Sequence, residues 1–208
     1  MEKTVSAILL AGGFSSRMGR DKAELDFCGK PLIRYQAERL RALGIRDLVI
    51  AGYPKPVAGA RFAPDIYPHR GPLSGLHAGL LAVENPRALL LAVDTPLVPE
   101  DLLRALIEAH RGGITLAAIR EEPEPLIGVY DRSLARECEA VLQGERTSMR
   151  RLFDRVKPAL VPYRGDPLLL LNCNTPEEYR RLCEYKAGRR AAEAKGSGRQ
   201  NTQQEAEP

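Results

Sequence analysis

Val5-Ser6-Ala7-Ile8-Leu9-Leu10-Ala11-Gly12-Gly13-Phe14-Ser15-Ser16-Arg17-Met18-Gly19-Arg20-Asp21-Lys22 lies near the start of the chain and sets the pattern for the rest. Val5 to Leu10 is an apolar run that breaks off at two glycines, as a buried strand does on entering a tight loop. Beyond the loop, Leu32, Ile33, Ala37, Leu40 and Leu43 recur at helical spacing, with Pro31 suited to the first turn and Gly44 to the C-terminal cap. The order is strand, glycine-rich loop, helix.

The alternation continues outward from this stretch. Leu48 to Ala51 reads as a second strand, Leu76 to Val83 as a helix, and Ala88 to Val93 as a strand that is apolar on both faces. Pro99 to Ala109 is helical in pattern, Ile114 to Ile119 and Leu126 to Tyr130 are strand-like, and Leu134 to Leu142 and Met149 to Val156 are helical. Leu168 to Leu171 reads as a last strand and Pro176 to Tyr185 as a last helix. Such an order predicts an α/β protein: one domain, a Rossmann-like three-layer sandwich with a mostly parallel sheet covered on both faces. The folded domain is expected over 1–185. Lys186 to Pro208 contains no apolar residue other than Ala and is expected to be a disordered tail.

Composition narrows the function. The 208 residues are 44% hydrophobic and 28% charged, within the range of soluble globular domains. Ala88 to Val93 is the longest apolar run, far short of the roughly 20 residues needed to cross a bilayer, and the apolar run Ala7 to Ala11 is too short for a signal peptide. No membrane role and a cytoplasmic location are expected. The formal charge is +4, but half of it sits in the tail, where five Lys/Arg face three Glu. The rest carries interspersed charges without an aromatic-rich basic stripe, which argues against nucleic acid as a partner. Cys28, Cys138, Cys173 and Cys183 include no C-x-x-C pair and read as free thiols. His69, His77 and His110 form no ligand pattern.

In an open α/β sheet ligands gather where strands end and helices begin. Gly12, Gly13 and Gly19 allow close backbone approach to an anion, and Arg17 and Lys22 add two cations, so a polyphosphate cradle is expected there. Gly19-Arg20-Asp21 does not supply the Gly-Lys-Ser/Thr of a P-loop, and the glycine spacing does not fit the dinucleotide fingerprint. Asp94, in Asp94-Thr95-Pro96, follows the most apolar strand. It is placed to take a magnesium ion, which uses one or two carboxylates and completes its shell with water and substrate phosphates. An Asp opening a turn before proline is the simpler alternative. Asp65 and Gly71-Pro72-Leu73-Ser74-Gly75 suit a nucleotide-side wall or, alternatively, surface turns. Thr175 and Pro176 suit a helix cap and first turn, which leaves Asn172 and Asn174 at the edge of the expected last strand, free to meet substrate or metal.

Leu10-Ala11-Gly12-Gly13-Phe14-Ser15-Ser16-Arg17-Met18-Gly19-Arg20-Asp21-Lys22-Ala23, followed by Gly29-Lys30-Pro31-Leu32, resembles the signature of the molybdenum cofactor guanylyltransferase family. Gly71-Pro72-Leu73-Ser74-Gly75, Asp94-Thr95-Pro96 and Asn172-Cys173-Asn174-Thr175-Pro176 recur in the same order, so the resemblance spans residues 1–185. The Leu-Ala-Gly-Gly loop alone points only to the wider nucleotidyltransferase superfamily. The resemblance implies the nucleotide-diphospho-sugar-transferase type of sandwich and transfer of GMP from GTP to molybdenum-molybdopterin, with Mg2+ as cofactor. It also implies transient contact with other cofactor-biosynthesis proteins or molybdoenzymes. By carry-over, Leu10, Ala11 and Gly12 meet the guanine nucleotide, Lys22 its phosphates, Asp65 the nucleotide and Asp94 the magnesium. Arg17, Lys22 and Asp94 are the expected catalytic group, and Leu10, Ala11, Gly12, Gly13, Asp65, Asn172 and Asn174 complete the binding site. Ala51 departs from relatives that have a polar residue there. Alternative readings are a molybdopterin cytidylyltransferase, a sugar-phosphate nucleotidyltransferase, or a catalytically idle nucleotide-binding regulator.

Overall fold

A computed structural model describes residues 5–12 and 21–201, with side chains through residue 189. Seven strands form one sheet: β1 (Ser6–Leu10), β2 (Leu48–Ala51), β3 (Arg61–Ala63), β4 (Arg87–Ala92), β5 (Ile114–Ile119), β6 (Glu122–Asp131) and β7 (Ala159–Pro162). Their order is β3-β2-β1-β4-β6-β5-β7. β3, β2, β1 and β4 are parallel, β6 runs antiparallel to both β4 and β5, and β7 is parallel to β5. The mostly parallel three-layer sandwich is thus as expected.

The helices are α1 (Leu32–Ala42), α2 (Pro72–Ala82), α3 (Glu100–Ala109), α4 (Ala135–Leu142), α5 (Met149–Arg155) and α6 (Pro176–Asn201). Side chains alternate along the central strands. Ala7 and Leu9 of β1 and Leu89 and Leu91 of β4 join one core with α1, α3 and α6, while Ile8, Leu10, Ala88 and Leu90 join the other with α2, α4 and α5. Period-two alternation with apolar residues at every step makes a strand that is buried on both faces. On the second face α2 lies very close to the sheet. A Cβ on Gly79 would come within 2.5 Å of Ile8 Cγ2, and one on Gly75 within 2.9 Å of Leu10 Cδ2.

Several elements differ from the expectation. Pro167–Leu170 is a 3-10 turn rather than a strand, capped by Asp166, whose carboxylate accepts the Leu168 N–H at 2.9 Å. A short leucine run fits either element, and Pro167 in the first turn decides for the helical one. The seventh strand is Ala159–Pro162, a half-exposed edge too short to show a period. Asn172 and Asn174 consequently sit in a loop and not on a strand edge. β5 and β6 join through Arg120 and Glu121, both in the left-handed region (φ 49° and 71°), the geometry of a two-residue hairpin without the usual Asn-Gly.

The helix that begins at Pro176 runs on through Asn201 instead of ending at Tyr185. The Ala, Arg, Lys and Glu after Tyr185 favour helix, interrupted by Gly188, Gly196 and Gly198, and among the described side chains Leu182 is the last fully buried one of this helix. Among the described residues no helix is long and apolar enough to cross a membrane, and the four cysteines are free.

Candidate active site

The parallel strands end on one edge of the sheet, and the expected residues meet there. Pairing runs on past the strand ends: the Ala11 N–H donates to the Ala51 carbonyl (2.9 Å) and the Val93 N–H to the Leu10 carbonyl (2.8 Å). Gly12 and Gly52 then bring their backbones into contact. Gly52 has φ +84°, and a Cβ on it would run into the Gly12 backbone, so two adjacent strand-end loops stay low and open. Above them is a cavity of about 880 Å3, within the usual range for small-molecule and cofactor sites. Leu10, Ala11, Gly12, Lys22, Asp65 and Asp94 line it, together with Asn174.

Lys22 stands in a 3-10 turn, Lys22–Glu24, capped by the Asp21 carboxylate, which accepts the Ala23 N–H at 3.0 Å. Its ammonium lies 2.9 Å from Asp94 Oδ2 and donates to Asn174 Oδ1 at 2.5 Å. A lysine has three donors, so one remains for an incoming acceptor. Lys22 and Asp94 are both largely buried, their side chains 17% and 16% exposed. Asp94 Oδ1 is buried with no hydrogen-bond partner among the described residues. A buried carboxylate oxygen left without a donor is costly, and a cation satisfies it. Nowhere among the described residues do three or more His, Cys, Asp or Glu gather as a metal cage. One carboxylate in the lining of an open cavity suits a divalent ion that takes most of its ligands from substrate and water.

The Asn loop is tied to the same point. Its Cys173 N–H donates to the Asp94 carbonyl at 2.8 Å, and a reciprocal capping box fixes the start of α6. Thr175 Oγ1 accepts from Glu178 N–H at 3.2 Å, while Glu178 Oε2 accepts from the Asn174 and Thr175 N–H groups. Thr175 and Pro176 are therefore the cap and first turn expected of them. Burial pushes the Cys173 thiol up to about 12, with Asp94 raising it and Lys22 lowering it, so it stays protonated and is no nucleophile.

On the far wall, Asp65 Oδ1 accepts from the Ser74 hydroxyl and from the Tyr67 N–H, which fixes the loop leading to α2. Gly71, at φ +73°, makes the turn into that helix. The site thus brings together Leu10, Ala11, Gly12, Lys22, Asp65, Asp94 and Asn174. Asn172 is not among the residues lining the cavity. Gly13 and Arg17 lie outside the described residues. Ala51 lines the cavity and offers no polar side chain. The sequence reading missed Gly52, whose role appears only against Gly12, and His69, which joins the wall beside Pro68.

Comparison with known proteins agrees with this geometry. Residues 7–161 match the MobA-like NTP transferase domain. A molybdenum cofactor guanylyltransferase of Ectopseudomonas mendocina is 34% identical over 179 residues, covering 83% of this chain and 88% of that protein. One from Rhizobium meliloti is 36% identical over 192 residues, covering 84% and 88%. Among solved structures, molybdopterin-guanine dinucleotide biosynthesis protein A from Archaeoglobus fulgidus superposes with a TM-score of 0.72 at 26% identity, over 88% of this chain and 100% of that one. With the matched domain spanning both strand-end loops and Asp94, the chain belongs to the MobA-like NTP transferase domain family and is a nucleotidyltransferase.

Proposed function

We propose that the domain within 1–185 transfers GMP from GTP to the terminal phosphate of molybdenum-molybdopterin, releasing pyrophosphate. The observation that carries this reading is the Lys22–Asp94–Asn174 cluster in the cavity lining, where a cation is held beside a carboxylate whose Oδ1 is buried with no hydrogen-bond partner among the described residues. A phosphate oxygen of the pterin substrate attacks the α-phosphorus of GTP, and the bond to the β-phosphate bridging oxygen breaks. Both reactants are anions, so the protein's task is to lower repulsion and hold the attacking and leaving oxygens in line. Lys22 holds phosphate oxygens with its remaining donor, and Arg17 supplies a second cation by its place in the loop. The backbone from Leu10 to Gly12 faces the nucleoside and Asp65 fixes its far side. Nucleotidyltransferases of this kind use a divalent metal, and here Asp94 would hold Mg2+. That ion would neutralise phosphate charge and polarise the reacting phosphoryl group. No protein nucleophile is needed.

The same reading places the enzyme in the cytoplasm, with no nucleic-acid partner and transient contact with other cofactor-biosynthesis proteins or molybdoenzymes at hand-over. The test is pyrophosphate release from GTP, CTP and ATP, with and without molybdenum-molybdopterin or a sugar phosphate. Release from GTP that depends on the molybdenum-pterin acceptor is expected. A preference for CTP reassigns the enzyme to cytidylyl transfer, and release only with a sugar phosphate reassigns the acceptor. No release with any pair leaves a nucleotide-binding regulator.

A further inference from the structure

The inner face of α1 carries Leu32, Ile33, Ala37 and Leu40, all buried, and in the middle of this apolar stripe stands Gln36, which is wholly buried. A polar amide at a core position requires partners. Its Nε2 faces three carbonyls of one loop: Ala92 (3.3 Å), Val93 (3.4 Å) and Thr95 (3.0 Å). Its Oε1 accepts from Arg39 Nη1 at 2.9 Å. Arginine has no acceptor, so this contact fixes which end of the amide faces the loop. Arg39 continues the clasp, donating from Nη1 to the Pro96 carbonyl at 2.8 Å and from Nη2 to the Val98 carbonyl. The Asp94 carbonyl itself accepts from Cys173 N–H, and Thr95 Oγ1 donates back to the Ala92 carbonyl at 2.9 Å.

Every carbonyl from Ala92 to Pro96 thus has a named donor, and most of these donors come from two side chains one helical turn apart on α1. The backbone on both sides of Asp94 is held in one shape. We infer that Gln36 and Arg39 are positioning residues that fix the Asp94 carboxylate in the cavity lining, its buried Oδ1 without a hydrogen-bond partner among the described residues. This rests on the reading that Asp94 holds the divalent cation. Neither side chain lines the site cavity, so they act only through the loop.

Mn2+ bound in the presence of the β,γ-imido analogue of GTP, followed by water-proton relaxation, reads the metal site without turnover, and kcat, KM for GTP and thermal midpoint are measured beside it. Asp94→Asn is expected to lose the relaxation enhancement. Gln36→Met and Arg39→Met are expected to raise the Mn2+ half-saturation by roughly 10–100-fold, the usual effect of removing a group that orients a metal ligand. Their kcat is expected to fall in parallel, with KM for GTP near wild type. If Gln36→Met does not fold, Arg39→Lys decides, since it keeps the charge but loses the fork that reaches two carbonyls. Folded Gln36 or Arg39 variants that bind Mn2+ as tightly as wild type, while Asp94→Asn does not, overturn the positioning role alone. Normal Mn2+ binding by Asp94→Asn overturns the Asp94 reading and this inference with it.

Discussion

Lys22 meets Asp94 and Asn174, which lie 72 and 152 residues away in sequence, and neither contact can be read from local pattern. What the sequence does show is the class of each residue: a cation in a glycine loop, a carboxylate after a buried strand, and amides after a leucine run. On the proposed reading Lys22 grips phosphates, which every nucleoside triphosphate shares, so Lys22→Ala should weaken GTP and ATP alike, by about 1.5–3 kcal/mol for one charge-assisted hydrogen bond. Preference for GTP should survive, because on the same proposal the backbone from Leu10 to Gly12, and not Lys22, meets the nucleoside. Calorimetric titration of both nucleotides at fixed magnesium and salt checks this, and loss of selectivity with phosphate affinity retained would move Lys22 to the base. Gly52 and Gln36 escaped the sequence reading for one reason. A glycine that touches another backbone and a glutamine that clasps another loop have roles defined wholly by a distant partner.

At the scale of elements, helix α2 shows how tightly the second core is closed. Gly75 and Gly79, one turn apart, let α2 settle onto Leu10 and Ile8 of β1, and the same helix begins at the cavity wall. Gly79→Ala trades a gain in helix propensity for a collision with a fully buried isoleucine. The collision should win, because overpacking a close-packed core costs about 1–3 kcal/mol and Gly-to-Ala propensity returns about 1 kcal/mol. Urea unfolding should show net destabilisation. Ile8→Val/Gly79→Ala should be more stable than the sum of the single changes, since the first removes a colliding methyl; simple additivity would show that α2 has room to move. The expected helix near Leu76 to Val83 was found one turn longer at its start. Gly71 and Pro72 look like loop residues, yet they are the cap and first position of the helix.

For the molecule as a whole, stability should depend on pH through His77. This side chain is only 2% exposed, its Nδ1 has no partner among the described residues, and its ring packs edge-on to Tyr67 at 5.5 Å. Burial lowers its pKa from the ordinary value, against the opposing pull of Glu139 and Asp65. The folded protein therefore binds a proton less readily than the unfolded chain. Above about pH 6.5 both states are neutral at this residue; below it the unfolded chain takes up the proton first, so stability is lost as pH falls toward the lowered folded value. Denaturant unfolding at pH 7.5 and pH 5.5 should show this loss in wild type and a smaller one in His77→Phe, which keeps an aromatic ring against Tyr67. An identical loss in both would assign the acid sensitivity elsewhere.

From the chain alone came the α/β class, the glycine loop beside the candidate site, the free thiols and the residue types expected to handle phosphate and metal. These depend on local pattern: apolar runs of strand length, helical spacing, and glycine, cation and carboxylate at strand ends. Packing made Pro167–Leu170 a 3-10 turn and Ala159–Pro162 the edge strand. It also placed β6 antiparallel between β4 and β5, turned Asn174 and not Asn172 to the cavity, and closed Gln36 and Arg39 around the Asp94 loop. Short segments carry too few periods to name their own conformation, and a side chain's orientation is set by partners distant in the chain, so these outcomes follow from packing and hydrogen-bond satisfaction that exist only once the sheet has assembled.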